Sequence, residues 1–585
     1  MMNEISAGTT NAKGLVKGIV FFSTLIWVAI SFAQSEVPEE KHDPGRAFEH
    51  IDAFFTQLVE GPITPGVSLA ITDRDKLLYT GTYGYADIES KKPLNPDVMF
   101  EIGSTGKTFV ATLAMQLVEA GVLELQQPFQ QYLPWFKVQS DFEPMTVHHV
   151  LSHTGGLVRN AGGSGQPLAT TWDLRKTHTG FPPGEKWSYS NAGYIALSVM
   201  LESVAGKPYG QLLQQKILDP LGMTQTHPLT INDTREHLAT GYTGLFYDDR
   251  PFSFDHPVER APWEENLGGA GSLSSTPADL SRFLRMLMNS GKGPDGSIIS
   301  ENSFSLMSQP VAEAYAGINY GYGLMTYKGG GFDLIFHNGG TLGHNTVMVA
   351  DLESGFGVVA MTNGSSVSGW GTYLISVLRA SLAGETLPEA PPEQDLTRVE
   401  NAAEYAGVYT GESGALTLVA RDTGLFLLHK GEHIALEMRG ADAFFAPHPD
   451  FKFFHLEFGR DDGKVVEVFY GPQWYRSDLY QGPVDFDVPE LWNAYIGDYR
   501  SKTPWVRMIR IYPRKGGLLL AYPSSPSGEL LIPLGENEFQ VGREGSPPRL
   551  RFDPIVAGQA IRTTFFAIDF YRTNSSAFDS LKGSR

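Results

Sequence analysis

The sequence predicts an α/β (α+β) chain in which an antiparallel sheet flanked by helices encloses an all-helical region, with two small β-barrels after it. Three observations predict this. Strand patterns open and close the stretch 43–383, helical patterns fill its middle, and an internal repeat begins beyond residue 398.

Residues 43–60 have the apolar spacing of an amphipathic helix, and Gly66 to Thr72 and Lys76 to Gly84 read as strands joined by Asp73-Arg74-Asp75. Helical patterns follow at 104–120, 190–205 and 276–289, the last with Thr276 as cap, Pro277 at its first position and Asp279 in its first turn. Strand signal returns in FDLIFHNG, HNTVMVAD and GFGVVAMTN, and a helix at 370–383 closes the unit. Residues 384–398, GETLPEAPPEQDLTR, lack periodicity and read as a linker. Beyond them Tyr405-x-Gly407-x-Tyr409 recurs as Tyr495-x-Gly497-x-Tyr499, which predicts related barrels over 399–485 and 489–573. The final NSSAFDSLKGSR is polar and patternless and is expected to be disordered.

A chain of 585 residues exceeds what one core organises. Its first 33 residues read as a signal peptide: Lys13 and Lys17 precede an apolar run from Ile19 to Phe32, with small Ser31 and Ala33 at a cleavage position. Export to the periplasm or the extracellular space is expected. An uncleaved N-terminal membrane anchor is the competing reading, although Lys17 interrupts the stretch. The net charge of −20 disfavours nucleic acid as a partner. With no cysteine, disulfides and thiolate metal sites are excluded.

The chemistry centres on FEIGSTGKTFVATLAMQLVEAG, which holds Ser104-x-x-Lys107, the one place where a serine stands three residues before a lysine. Phe109, Leu113 and Leu117 mark a helix beginning at the serine, so Ser104 and Lys107 share a face. A serine hydroxyl needs a base, and lysine serves only when desolvation lowers its pKa from about 10.4. The helix N-terminus favours an oxyanion, with the Ser104 N–H as one donor. Gly106-Lys107-Thr108, with the strand ending at Asp351, also resembles part of a phosphate-binding loop. Glu101 occupies the first loop glycine's place and would repel phosphate, so that reading is set aside.

Two further segments join Ser104. In FPPGEKWSYSNAGY, Tyr189 can relay a proton and Asn191 can orient a substrate amide. His337-Asn338-Gly339-Gly340-Thr341 ends a strand with a polar ring beside accessible backbone that a substrate could join as an extra strand. His149 and His153 stand four apart, but no carboxylate completes a metal motif and they read as structural. No G-x-S-x-G elbow occurs. The stretch AGGSGQPLATT at 161–171 is a candidate flap.

In this order the three segments resemble the penicillin-recognising serine hydrolases: class C β-lactamases, D-alanyl-D-alanine carboxypeptidases, D-aminopeptidases and β-lactamase-like esterases. The resemblance spans about 45–383 and extends to MTVHHVLSHTGGL, GGAGSLSSTPADLSRFL, YGYGL and HNGGTLG. It implies a β-lactamase/transpeptidase-like fold and an acyl-enzyme on Ser104, with Lys107 and Tyr189 sharing the general-base work. Asn191, His337, Gly339 and Gly340 would contact substrate, the N–H groups of Ser104 and Gly340 forming the oxyanion hole. No metal or organic cofactor is implied, and the C-terminal repeats resemble lipocalin-like barrels. His337 departs from the lysine of the β-lactamases, and a largely neutral ring holds a carboxylate less firmly. The expected substrates are therefore peptides of the D-amino-acid or D-Ala-D-Ala type, or carboxylic esters. A β-lactamase is the alternative within the class, and a catalytically silent scaffold the alternative outside it. Membrane insertion is not expected if the signal is cleaved, and self-association is left open.

Overall fold

The computed structural model describes residues 44–574 except 62, 244–257, 365–366, 368, 392–394, 524 and 544. The signal-peptide reading and nearly all of the polar C-terminal stretch lie outside the described residues. Among those described, no helix is long and apolar enough to cross a membrane.

The first unit is built on a nine-stranded antiparallel sheet. Its strands in chain order are β1 (Gly66–Thr72), β2 (Leu77–Asp87), β3 (Lys92–Pro93), β4 (Ala312–Tyr315), β5 (Ile318–Tyr320), β6 (Met325–Gly329), β7 (Phe332–Gly340), β8 (Asn345–Asp351) and β9 (Phe356–Thr362). They lie in the order β4-β5-β6-β7-β8-β9-β1-β2-β3, so the first strands of the unit pair with its last. Every residue of β1 and β9 is buried, as their predominantly apolar runs predict for strands covered on both faces. The Asp73 carboxylate accepts from the Asp75 and Lys76 N–H groups and shapes the turn between β1 and β2.

Five principal helices belong to this unit: α1 (Gly45–Leu58), α2 (Gly106–Glu119), α3 (Asn191–Ala205), α4 (Pro277–Met288) and α5 (Trp370–Leu382). On one face α1 and α5 pack Ile51, Phe55, Trp370 and Leu374 against Val67, Leu69, Val347 and Val358. The opposite face, with Ala70, Met348 and Val359, shares a core with Phe109, Phe283 and Leu284, and the Phe109 and Phe283 rings stack at 3.7 Å. Thr276 caps α4 by accepting from the Asp279 N–H, as its sequence predicts. Strands β4 to β6 carried no sequence signal, being short and interrupted by Gly317, Gly321 and Gly323.

Two β units follow. Gly407–Gly411 to Gln473–Arg476 form a nine-stranded up-and-down sheet that is a nearly closed barrel, hydrogen bonding being interrupted between Glu432–Ala435 and Glu437–Gly440. The strands from Gly497–Arg500 to Ile568–Arg572 form a closed eight-stranded barrel. The repeated tyrosines make the same contact in each: Tyr409 Oη donates to Tyr405 O at 2.9 Å and Tyr499 Oη to Tyr495 O at 2.7 Å. The closed barrel sits on the first unit, where the Gly162 N–H donates to Phe566 O at 2.8 Å, and Val158, Ala161, Phe566 and Ile568 belong to one buried cluster.

Only two residue pairs join the last barrel strand to the first, but Arg572 donates to the carbonyls of Ala494, Ile496 and Ala560. Arg572→Met is expected to lower the thermal midpoint, by about 1–3 kcal/mol of stability for each carbonyl left buried and unmet. An unchanged midpoint in calorimetry would show that barrel closure does not rest on this side chain.

Candidate active site

Ser104 lies in a one-turn 3-10 helix, Gly103–Thr105, that leads directly into α2. The first ten residues of α2, Gly106 to Met115, are all buried, which takes Lys107 out of water. Gly103 has φ +50°, and a Cβ there would lie 2.6 Å from the Gly340 nitrogen. A Cβ on Gly339 would lie 1.8 Å from Ile102 O, so the end of β7 and the serine turn touch backbone to backbone.

Lys107 Nζ has three oxygen neighbours: Asn191 Oδ1 at 2.8 Å, Ala270 O at 2.8 Å and Ser104 Oγ at 3.1 Å. The two carbonyls can only accept, so Nζ donates to both. A neutral amine then has its lone pair left for the Ser104 hydroxyl. Burial, helped by the positive charge of Arg159, holds the Lys107 pKa well below the usual lysine value and favours that neutral form.

Ser190 caps α3, accepting from the Gly193 N–H at 2.9 Å and donating to Val158 O at 2.7 Å. The cap fixes its two neighbours in sequence. Asn191 is oriented by donating from Nδ2 to Asn160 Oδ1 at 3.0 Å. Tyr189 lies beside Ser104, and burial pushes its pKa up, so it is a neutral phenol. Lys107 Nζ lies 4.8 Å and Arg159 Cζ 5.2 Å from the centre of its ring.

His153 packs beneath this group, its ring 4.4 Å from that of Tyr189 and 4.8 Å from that of Tyr320. Its Nδ1 accepts from the Ser190 N–H at 3.1 Å, and burial holds the ring neutral. His149 Nδ1 accepts from the Thr146 N–H at the start of its own short helix. The two histidines thus hold backbone, in keeping with their structural reading.

The sequence-predicted residues Ser104, Lys107, Tyr189 and Asn191 converge on one hydroxyl, and Gly339 and Gly340 border it. The His337 ring does not face the opening as expected. It is 1% exposed, with Nδ1 2.7 Å from Asn338 O and Nε2 3.3 Å from Tyr320 Oη. Burial lowers its pKa to about 3. Sequence reasoning missed Ala270 O, Asn160 and Arg159. Ala270 lies within the quoted GGAGS stretch, but a backbone carbonyl leaves no residue-type signal. The phosphate-loop reading fails on geometry, since Gly106 and Lys107 are buried and Lys107 Nζ is taken up by Ser104, Asn191 and Ala270 oxygens.

The Beta-lactamase family profile matches residues 51–371, more than half of the chain. The chain belongs to the beta-lactamase family. Among its relatives, penicillin-binding protein 4* of Bacillus subtilis is 25% identical over 418 residues, covering 67% of this chain and 89% of that protein. Penicillin-binding protein 4 of Amycolatopsis lactamdurans is 29% identical over 396 residues, covering 64% and 95%. The octameric penicillin-binding protein homologue from Pyrococcus abyssi shares the fold, with TM-score 0.53 and 24% identity over 74% of this chain and all of that one.

The contact between the serine turn and β7 makes Gly339 a strict requirement. Gly339→Ala is expected to displace Ser104 and slow labelling of Ser104 by a serine-directed fluorophosphonate about tenfold or more while the far-ultraviolet circular dichroism is kept. Unchanged labelling kinetics would show that the turn tolerates the displacement.

Proposed function

We propose that this beta-lactamase-family protein is a serine hydrolase that forms an acyl-enzyme on Ser104. The observation that carries the reading is the buried Lys107 amine 3.1 Å from Ser104 Oγ, its two N–H groups already committed to carbonyl oxygens. Lys107 takes the hydroxyl proton as Oγ attacks the substrate carbonyl, and the oxyanion is met by the N–H groups of Ser104 and Gly340. Tyr189, kept protonated by burial, passes a proton to the leaving group as the tetrahedral intermediate collapses, and it is reprotonated from Lys107. Water then attacks the ester by the same route, which releases the acid and regenerates Ser104.

Peptides of the D-amino-acid or D-Ala-D-Ala type, or carboxylic esters, are the substrates we infer. The neutral, inward-facing His337 supports esters and D-amino-acid substrates without a free carboxylate over β-lactams, because no permanent cation stands at that position to meet a carboxylate. The relatives' names favour a second reading, in which β-lactams acylate Ser104 without rapid release. Export, from the N-terminal signal, belongs to the same proposal, as do domain limits at 43–383, 399–485 and 489–573.

Intact-mass measurement with a serine-directed fluorophosphonate tests the assignment. The wild type is expected to gain one adduct, Ser104→Ala none, and Lys107→Ala to react about 10²–10⁴-fold more slowly. Equal labelling of wild type and Ser104→Ala would overturn the assignment, and labelling of neither would favour the silent scaffold.

A further inference from the structure

The nearly closed barrel holds a cluster of side chains that the Ser104 chemistry leaves unused. His429 ends the strand Gly424–His429, while His448 and Asp450 stand in the loop 446–455, between the strands Ala443–Phe445 and Leu456–Asp461. One ring nitrogen of each histidine and one Asp450 carboxylate oxygen all lie within 4.8 Å of one another. His429 Nε2 donates to Asp450 Oδ2 at 2.8 Å, and His448 Nδ1 lies 3.9 Å from the same oxygen. Zinc bonds of about 2.0–2.1 Å at tetrahedral angles put ligand atoms roughly 3.3 Å apart, a spacing that these two separations bracket.

The ligand set is backed by the barrel core and open to solvent. The Phe451 ring lies 5.0 Å from that of His429 and 6.2 Å from that of His448, and it meets Tyr470 inside the barrel at 5.3 Å. Both imidazoles are partly buried, and Asp450 is exposed. His448 Nδ1 accepts from the Asp450 N–H at 3.1 Å, so this nitrogen carries a lone pair. Hydrogen bonds from Lys430 and His429 hold the Asp450 pKa down at about 2, which keeps the carboxylate ionised. Lys430 Nζ, 2.8 Å from Asp450 Oδ2, is the competitor for a metal ion. Its side chain is largely exposed and leaves at the cost of one surface ion pair. When a metal takes His429 Nε2, the neutral ring carries its proton on Nδ1 instead.

Position gives the cluster a role. The hydrogen bonding of this barrel is interrupted between Glu432–Ala435 and Glu437–Gly440. His429 belongs to the hairpin on one side of that seam, and His448 and Asp450 to the loop that follows the hairpin on the other. An ion held by all three would join the two edges that the strand ladder leaves apart. Two imidazoles and a carboxylate suit zinc-class ions, whereas calcium and magnesium favour sites built of oxygen.

We propose that His429, His448 and Asp450 bind a divalent transition-metal ion of the zinc class, which clasps the first barrel across its open seam. The site lies in a different unit from Ser104 and stands apart from the acyl-enzyme reading.

Titration of the EDTA-treated full chain with zinc chloride, followed by calorimetry and by hydrogen exchange, tests the site. Saturable zinc uptake is expected, weakened about tenfold or more by His448→Ala and by Asp450→Asn. Lys430→Met is expected to tighten uptake, because the competing ammonium is gone. Zinc should slow exchange in 424–435 and 446–455 of the wild type and in neither segment of His448→Ala. Absence of saturable uptake, uptake that either ligand substitution leaves unweakened, uptake weakened by Lys430→Met, or exchange in the two segments unmoved by zinc would overturn the proposal.

Discussion

The site depends on keeping one amine out of water beside one hydroxyl. Lys107 Nζ is enclosed by two carbonyl oxygens and Ser104 Oγ, with no carboxylate among the contacts that would hold it as an ammonium. A buried ammonium without a counter-ion is costly, and the group responds by giving up its proton. Because its pKa is lower folded than unfolded, folding releases a proton at neutral pH. Stability from this group is therefore diminished below the ordinary lysine value and recovered as pH rises towards it. The beta-lactamase-family core compensates through an α2 whose first ten residues are buried and a sheet whose central strands are covered on both faces.

Once Lys107 is neutral, the neighbouring groups acquire distinct parts. Tyr189 is shifted in the opposite direction by the same burial, so a neutral amine and a neutral phenol stand beside one serine. His153 and the Ser190 cap fix the backbone between Tyr189 and Asn191, and the glycines at 103, 339 and 340 let the serine turn rest against the last residues of β7.

Much of this was legible in the chain. The singular Ser104-x-x-Lys107, YSN and HNGG segments named the residues that converge, because their chemistry is of local residue type and spacing. Helices α1 to α5 and strands β1 and β7 to β9 were legible from long apolar periods. What escaped was set by tertiary context. The inward turn of His337 depends on Tyr320, and Ala270 acts through a carbonyl that every residue has. The first C-terminal repeat reads as a barrel, whereas its hydrogen bonding stays open at one seam, a detail that two adjacent short strands do not announce.

The most direct measurement is the titration of Lys107 itself, followed by the ¹³Cε resonances of [ε-¹³C]lysine-labelled protein, with Lys107→Met supplying the assignment. One resonance, absent in the variant, is predicted to titrate well below the ordinary lysine value of 10.5. If the Lys107 resonance instead titrates at or above 10.5, the lysine is a charged ammonium at neutral pH and cannot be the base that activates Ser104.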